Sequence, residues 1–322
     1  MPTGPLYLSA TDLQSIKLSA TDACNAIDRL YRLRALQQVH VKPKLTLTIR
    51  PGRFFQALSC AVPELSMAAC KWVSVTNGHS DKDLPNVNGT VLLNDLETGA
   101  PIAMIDAAVV TAVRTAATSL TAARYLARPD SQTVGFIGCG VQAHSHLAML
   151  PELFPQLREA RILGGRKGSE RLREAATGLG LLATLCDTPQ DVVEPSDIVV
   201  SSVPGNATLK PFLNIAWIKP GAFVSAVDLG RSWHSDNLSS LDVLCTDDHE
   251  QSTEQKAAGK LPQTATFHAD LSELANRSHS GRHGPEDRTM FMFPGFALSD
   301  LALAVRYYEA AQKRGLGTTL PL

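Results

Sequence analysis

The sequence carries no excess of charge: 30 Lys and Arg stand against 31 Asp and Glu, a formal net charge of −1 over 322 residues. That balance removes the electrostatic case for nucleic acid or an anionic membrane surface as a partner. No apolar run approaches the roughly 20 residues of a membrane span. The opening MPTGPLYLSATDLQ has neither the basic stretch nor the apolar segment of a signal peptide. Cysteine is sparse. Cys24, Cys60, Cys70, Cys139, Cys186 and Cys245 fall without C-x-x-C spacing, so they read as reduced, mostly buried thiols of a cytoplasmic protein. No zinc or calcium pattern, repeat or low-complexity tract occurs, and no metal is expected. What is present is 44% hydrophobic and 19% charged residues, enough for a sizeable core, in a chain long enough for two domains.

The stretch Ser131 to Leu150 organises the rest. Thr133 to Ile137 is an apolar, strand-forming run, Gly138-Cys139-Gly140-Val141-Gln142-Ala143 gives G-x-G-x-x-A, and Ala143, Leu147, Ala148 and Leu150 lie on one helical face. Strand, glycine turn and helix form the context of a dinucleotide site. Gly138 allows the tight turn, Gly140 lets a pyrophosphate approach the backbone, and small Ala143 lets the helix pack on the strand. The helix N-terminus at Val141 and Gln142 offers free N–H groups to the phosphates.

Before this unit the sequence predicts a β-rich domain. Leu6–Ser9, Leu45–Ile49, Phe54–Cys60 and Met67–Val75 read as strands, and Val91–Asp95 with Pro101–Asp106 as a hairpin around Leu96–Gly99. Helices are expected from Ser9 to about Ile16 and from Asp22 to Gln38, with a turn at Asn77–Ser80. Leu45–Ile49 delivers Arg50. Lys71 sits among apolar neighbours in its strand; taken alone it reads as an exposed edge charge. Ala107–Ala127 is a long alanine-rich helix with Arg114 in its middle, where a solvated helix arginine is the plain alternative to a ligand. Arg128-Pro129-Asp130 breaks it and marks a boundary.

Past the glycine motif, Glu159–Leu163 reads as the second parallel strand, where an acid ordinarily holds the adenosine ribose. Here it runs instead into Gly164-Gly165-Arg166-Lys167, and two cations suit a 2′-phosphate, so NADPH is expected over NADH. Further strands are expected at Leu182–Leu185, Asp197–Val203, Ala222–Val227, Leu241–Thr246 and Met290–Phe293, with a closing helix at Ala297–Lys313. Ser202 and Val203 fall where the middle of the cofactor should cross the sheet. Asp228 follows the fifth strand and is a candidate for the reacting end, or a surface turn aspartate. Residues 276–288 read as a polar surface loop, or a mobile one near the site.

These pieces together resemble the ornithine cyclodeaminase/μ-crystallin family over nearly the whole chain. The resemblance is carried by Arg50 after its strand, the Lys71 strand, Arg114-Thr115-Ala116-Ala117-Thr118-Ser119, the glycine motif, and Gly295-Phe296-Ala297-Leu298-Ser299-Asp300. It implies an α/β fold: a Rossmann-type doubly wound parallel sheet over 128–300, plus a β-rich α+β substrate-binding and dimerisation domain over 1–127 with the C-terminal helix 301–322. It further implies that Arg50 and Lys71 hold a substrate carboxylate with Arg114 close by, that Arg114 and Thr115 touch the cofactor, and that an acid after the fifth strand, here Asp228, acts on the substrate nitrogen beside the nicotinamide. A homodimer is implied as well.

The chain departs from the cyclodeaminase pattern in two ways. Asp228 stands about two residues early, and the strand Phe54–Cys60 lacks the glutamate used in ornithine chemistry. The second departure, with the Arg166-Lys167 site, leads to an NADPH-dependent reductase of cyclic α-imino acids, such as Δ1-pyrroline-2-carboxylate or Δ1-piperideine-2-carboxylate, giving L-proline or L-pipecolate. The competing expectations are an ornithine cyclodeaminase with tightly held NAD, an alanine-type amino-acid dehydrogenase, and a crystallin-like protein that binds NADPH with little turnover.

Overall fold

The computed structural model describes residues 4–50, 52–76, 86–165, 167–205 and 209–321. The turn expected at Asn77–Ser80 and the cofactor residue Arg166 lie outside these. The fold is α/β, in two compact units: Met1–Arg114 with Gly295–Leu322, and Thr115–Pro294.

In the first unit, strands β1 (Leu6–Leu8), β2 (His40–Val41), β3 (Leu45–Arg50), β4 (Arg53–Val62), β5 (Met67–Thr76), β6 (Val87–Asp95) and β7 (Pro101–Asp106) join a C-terminal strand, Thr318–Thr319. The sheet order is Thr318–Thr319, β1, β7, β6, β5, β4, β2, with β3 also paired to β4. Neighbours run antiparallel except β1 and β7. Helix α1 (Ala10–Ser15) starts at a capping box of Ser9 and Asp12. Helix α2 (Ala20–Ala35) begins before the expected Asp22, because the Ser19 side chain accepts the Asp22 amide and sets the start there. It packs on the C-terminal helix Ala297–Arg314, which in turn lies on β4, β5 and β6.

Helix α3 (Ala107–Leu126) is shared. The boundary expected after residue 127 lies at its end, whereas the units part inside it. The bonding explains this. Arg114 is ion-paired to Asp300 in the first unit. Further along, Ser119 meets His146 and Ser225, and the Leu126 carbonyl accepts from Thr289 and Arg282, all in the second unit.

The second unit holds β8 (Thr133–Ile137), β9 (Glu159–Leu163), β10 (Leu182–Cys186), β11 (Ile198–Ser201), β12 (Phe223–Ala226), β13 (Val243–Thr246), β14 (Ala269–Asp270) and β15 (Thr289–Met292). All pair in parallel in the order β10, β9, β8, β11, β12, β15, β13, β14. The central strands β8, β11, β12, β15 and β13 are buried on both faces, as parallel sheets require, while β9 keeps Glu159 and Arg161 half-buried. β8 is flanked by β9 on one side and β11 on the other, so the chain reverses its direction of travel across the sheet there. That is the switch point at which such sheets bind ligands, beyond the strand C-termini. Helices α4 (Val141–Leu153), α5 (Ser169–Gly178), α6 (Pro189–Val193), α7 (His249–Ala257) and α8 (Leu271–Ala275) complete the unit.

Residues 276–288 are a surface loop stapled to this unit by Arg282, which donates to the carbonyls of Leu126, Gly221 and Asp287. His249, Asp270 and Glu273 bring ligand-type atoms within 4.8 Å of one another. Their bonds serve the start of α8: Asp270 accepts the amides of Ser272 and Glu273, while Glu273 accepts the Asp270 amide and faces His249 Nε2. All six cysteines are free thiols. No helix among the described residues is long and apolar enough to cross a membrane.

Candidate active site

Alternation along β5 places Ala69, Lys71 and Val73 on the buried phase. Lys71 lies opposite Leu58 of β4 and Val91 of β6, both buried. The edge-charge reading of Lys71 is therefore overturned: its side chain is 2% exposed. A lone ammonium in such surroundings is costly and demands a counter-charge. Asp300, in the first turn of the C-terminal helix, supplies it. Its Oδ1 accepts from Lys71 Nζ at 2.6 Å, and Thr111 Oγ1 of α3 lies 3.4 Å from the same Nζ. Arg114, one turn after Thr111, faces the same Asp300 oxygen with its Nε at 3.0 Å. Arg114 is buried too, so the solvated-arginine alternative also falls.

Two cations thus share one carboxylate oxygen, and the group carries a net charge of +1 when Lys71 is protonated. Burial, helped by Arg114, pushes the Lys71 ammonium down to about 8, while Asp300 pulls in the opposite direction. Asp300 Oδ2 is buried and has no hydrogen-bond partner among the described residues. Gly295 makes room for the arrangement. It has φ +87°, and a Cβ there would lie 2.7 Å from a terminal nitrogen of Arg114. Arg50 is not gathered into this group. It ends β3, exposed and opposite Arg53, past a register shift after Thr48. Asp300 was not singled out from the sequence as a site residue, although it stood in the quoted Gly295–Asp300 stretch. A lysine on the apolar phase of a strand was the available signal that a buried acid must exist.

In the second unit, β8 ends at Gly138, whose φ is +103° and whose Cβ would lie 2.8 Å from the Ser202 carbonyl oxygen. The close passage of the glycine turn and the β11 exit loop thus requires glycine. Gly140 caps α4 with φ −87°, a conformation open to any residue, and a Cβ there would meet no atom of the chain within 4 Å. The space over Gly140 and the free amides at Val141 and Gln142 form a cradle of the kind a pyrophosphate takes. Ser202 Oγ and Gln142 Oε1 are buried without a hydrogen-bond partner among the described residues, so polar groups remain there for a ligand. These residues fit a dinucleotide. Val203 follows Ser202 on the exit loop, half-buried, and Thr115 is buried in α3. Lys167 is exposed after β9, next to Gly168, whose Cβ position lies 3.1 Å from the Cys139 carbonyl oxygen.

Asp228, after β12, is buried, so it is not a surface turn residue. Its Oδ1 accepts from Ser201 Oγ at 3.1 Å and the Gly230 amide at 3.2 Å, and its Oδ2 from Ser232 Oγ at 2.5 Å. Burial raises its carboxyl to about 6 against the pull of these donors. Behind the glycine motif, buried His146 of α4 has Nδ1 2.7 Å from the Gln142 carbonyl oxygen and Nε2 2.8 Å from Ser119 Oγ. A carbonyl only accepts, so Nδ1 carries the proton and Nε2 accepts from Ser119. Burial pushes this histidine down to about 4, so it is neutral at ordinary pH and ties α4 to α3.

The model of the ornithine cyclodeaminase/mu-crystallin family matches residues 5–315. The chain belongs to that family. Ketimine reductase mu-crystallin of Rattus norvegicus is 30% identical over 74% of this chain and 75% of its own. A Δ1-pyrroline-2-carboxylate reductase of Thermococcus litoralis, solved with NADH and L-proline, is 26% identical over 98% of this chain and 100% of its own, with a TM-score of 0.87. An archaeal alanine dehydrogenase dimer with bound NAD is 28% identical over 98% of both chains, with a TM-score of 0.86. The Rossmann-type second unit and a nicotinamide cofactor follow from this membership together with the cradle at Gly138–Gln142. The relatives themselves divide between imine reduction and amino-acid dehydrogenation.

Proposed function

We propose that this protein is an NADPH-dependent reductase of cyclic α-imino acids, with Δ1-pyrroline-2-carboxylate and Δ1-piperideine-2-carboxylate as the substrate class. The observation that carries the proposal is the buried Lys71–Asp300–Arg114 group. Its single net positive charge matches one α-carboxylate, and a carboxylate is bound most strongly by desolvated cations. The β4 residues on the Lys71 face, Gln56, Leu58 and Cys60, include no acid. A cyclodeaminase would need one there to handle the side-chain amine of ornithine.

In this reading Lys71 and Arg114 hold the substrate carboxylate, with Arg50 as an outer cation. Gly138, Gly140, Val141, Gln142, Ser202, Val203 and Thr115 hold the dinucleotide. Arg166 and Lys167 take the 2′-phosphate, since no acid follows β9 to favour the free ribose. The cofactor, when bound, supplies hydride for the C=N carbon. Asp228, partly protonated near pH 6, serves the substrate nitrogen. The hydrogen bonds from Ser201, Ser232 and the Gly230 amide fix the direction of its carboxyl group.

The outer face of the first sheet is where we place the contact with a second copy. Leu45, Leu47 and Trp72 are 58%, 46% and 44% exposed there, and the Phe55 and Trp72 rings stack at 5.5 Å. The dimeric state of the related alanine dehydrogenase supports this, and light scattering tests it. A cytoplasmic location is proposed from the six free thiols.

The deciding experiment is NADPH oxidation with Δ1-pyrroline-2-carboxylate, run beside NADH, beside ornithine with NAD, and beside pyruvate with ammonia. Faster NADPH-dependent reduction of the imine than of pyruvate is expected. Ammonia-dependent reduction of pyruvate alone would favour the second reading, an alanine dehydrogenase, to which the 28% identity over 98% of both chains lends weight.

A further inference from the structure

We propose that Asp300 is the positioning residue of the carboxylate site: one of its oxygens holds Lys71 and Arg114 together and keeps Lys71 charged. This rests on the reading of those two cations as the carboxylate-binding pair.

The geometry is specific. Three elements meet on Asp300 Oδ1: Lys71 from β5, Arg114 from α3, and Asp300 itself from the C-terminal helix. Two like charges brought this close in a buried place repel, and each lowers the tendency of its neighbour to stay charged. A guanidinium holds its proton far more firmly than an ammonium, so the lysine is the member of such a pair that loses one. The groups facing Lys71 are Arg114 and Thr111 from α3 and Asp300 from the C-terminal helix; Cys60, from β4, feels the charge of Asp300. Asp300 is the one acid among them.

The numbers set the consequence. With Asp300 present the Lys71 ammonium titrates at about 8. Without its charge, burial and Arg114 act unopposed, and the ammonium loses its proton at lower pH. The site would then present one charged donor group to the carboxylate at a pH where the wild type presents two. It would also lose the oxygen that sets the spacing of the pair. Asp300 therefore acts through Lys71 and Arg114.

The test is Asp300→Asn, which keeps the shape and removes the charge. For kcat/KM on the imine, the alkaline limb should move to lower pH by at least about one unit, so that about fivefold or more is lost at pH 8 and much of it is regained near pH 6. A purely structural role predicts an equal loss at every pH. Asp300→Glu keeps the charge and must keep the wild-type limb, whatever it does to KM.

A second assay needs no substrate. Denaturant stability is measured from about pH 6 to 8.5. In D300N the native Lys71 gives up its proton at lower pH than in the wild type while the unfolded lysine keeps it, so stability should begin to rise at lower pH. In the wild type the rise begins only near the Lys71 value of about 8. In a Lys71→Met background the D300N difference should vanish. Parallel stability curves for wild type and D300N, or a D300E limb displaced as far as that of D300N, would overturn the proposal. Should D300N not fold, the D300E limb decides. If the wild type turns over no imino acid, the proposed function fails while the stability assay still decides the role of Asp300.

Discussion

A single methyl group placed at Gly138 or at Gly140 should separate what the fold needs from what the cofactor needs. At Gly138 an alanine must adopt φ +103° with its Cβ 2.8 Å from the Ser202 carbonyl oxygen. The backbone strain costs about 1–3 kcal/mol, and relieving the overlap costs about as much again. Gly138→Ala should therefore lose about 2–6 kcal/mol of stability with no cofactor present. At Gly140 the backbone is already in a conformation that alanine adopts, and the Cβ meets no atom of the chain within 4 Å. Gly140→Ala should cost at most about 1 kcal/mol, the difference between glycine and alanine as a helix cap. Its effect should fall on the dinucleotide. A Cβ in the cradle keeps the phosphates from the α4 amides, and losing one charge-assisted hydrogen bond of about 1.5–3 kcal/mol weakens NADPH binding by about 10-fold to 150-fold. Thermal unfolding of the cofactor-free protein and NADPH titration by fluorescence measure the two effects separately. If G140A bound NADPH within about twofold of the wild type, the phosphate assignment of this turn would be refuted.

Two further substitutions probe the other residues. Gly295→Ala puts a Cβ 2.7 Å from Arg114 at φ +87°, so the guanidinium must retreat; KM for the imine should rise by about tenfold or more while the NADPH affinity holds, and an unchanged KM would remove Arg114 from the clamp. Asp228→Asn should lower kcat in the reducing direction and flatten its decline as pH rises through about 6. The same variant has a stability signature. A raised native carboxyl stabilises fully at pH below the unfolded value and loses that contribution as pH rises through about 6, so the decline in denaturant stability over that range should disappear in D228N. Full kcat with lost stability would make Asp228 a turn residue only.

Much of the fold was legible in local pattern. The strands from Thr133 to Met292, apart from the two-residue β14, were readable because buried parallel strands leave short apolar runs between turn residues, and the hairpin at Leu96–Gly99 because its turn is local. The order of the strands was not, since nothing near Thr289–Met292 announces that it lies between β12 and β13. Helix α8 was missed although Asp270 and Glu273 spell a capping box, because five residues are too few for a helical period to show. Lys71 and Arg114 were found through resemblance; from pattern alone Lys71 passed for an exposed edge charge, and Arg114 was open between a solvated arginine and a ligand. The correction lay in the phase of β5, which puts Lys71 with Ala69 and Val73. Its partner could not be found locally, being 229 residues away.

That separation governs the order in which the protein can be made. The second unit is one continuous stretch, Thr115–Pro294, and leaves the ribosome whole. The first unit is written in two instalments, and the sheet of β1 to β7 emerges early with an ammonium on its inner face and no acid to meet it. Asp300 and the C-terminal helix that covers β4, β5 and β6 come after the second unit in the chain, so the buried face of that sheet gains its cover and its counter-charge only once the other unit has been synthesised. A chain truncated before Gly295 would never close it, and such fragments should be the ones that chaperones and proteases find.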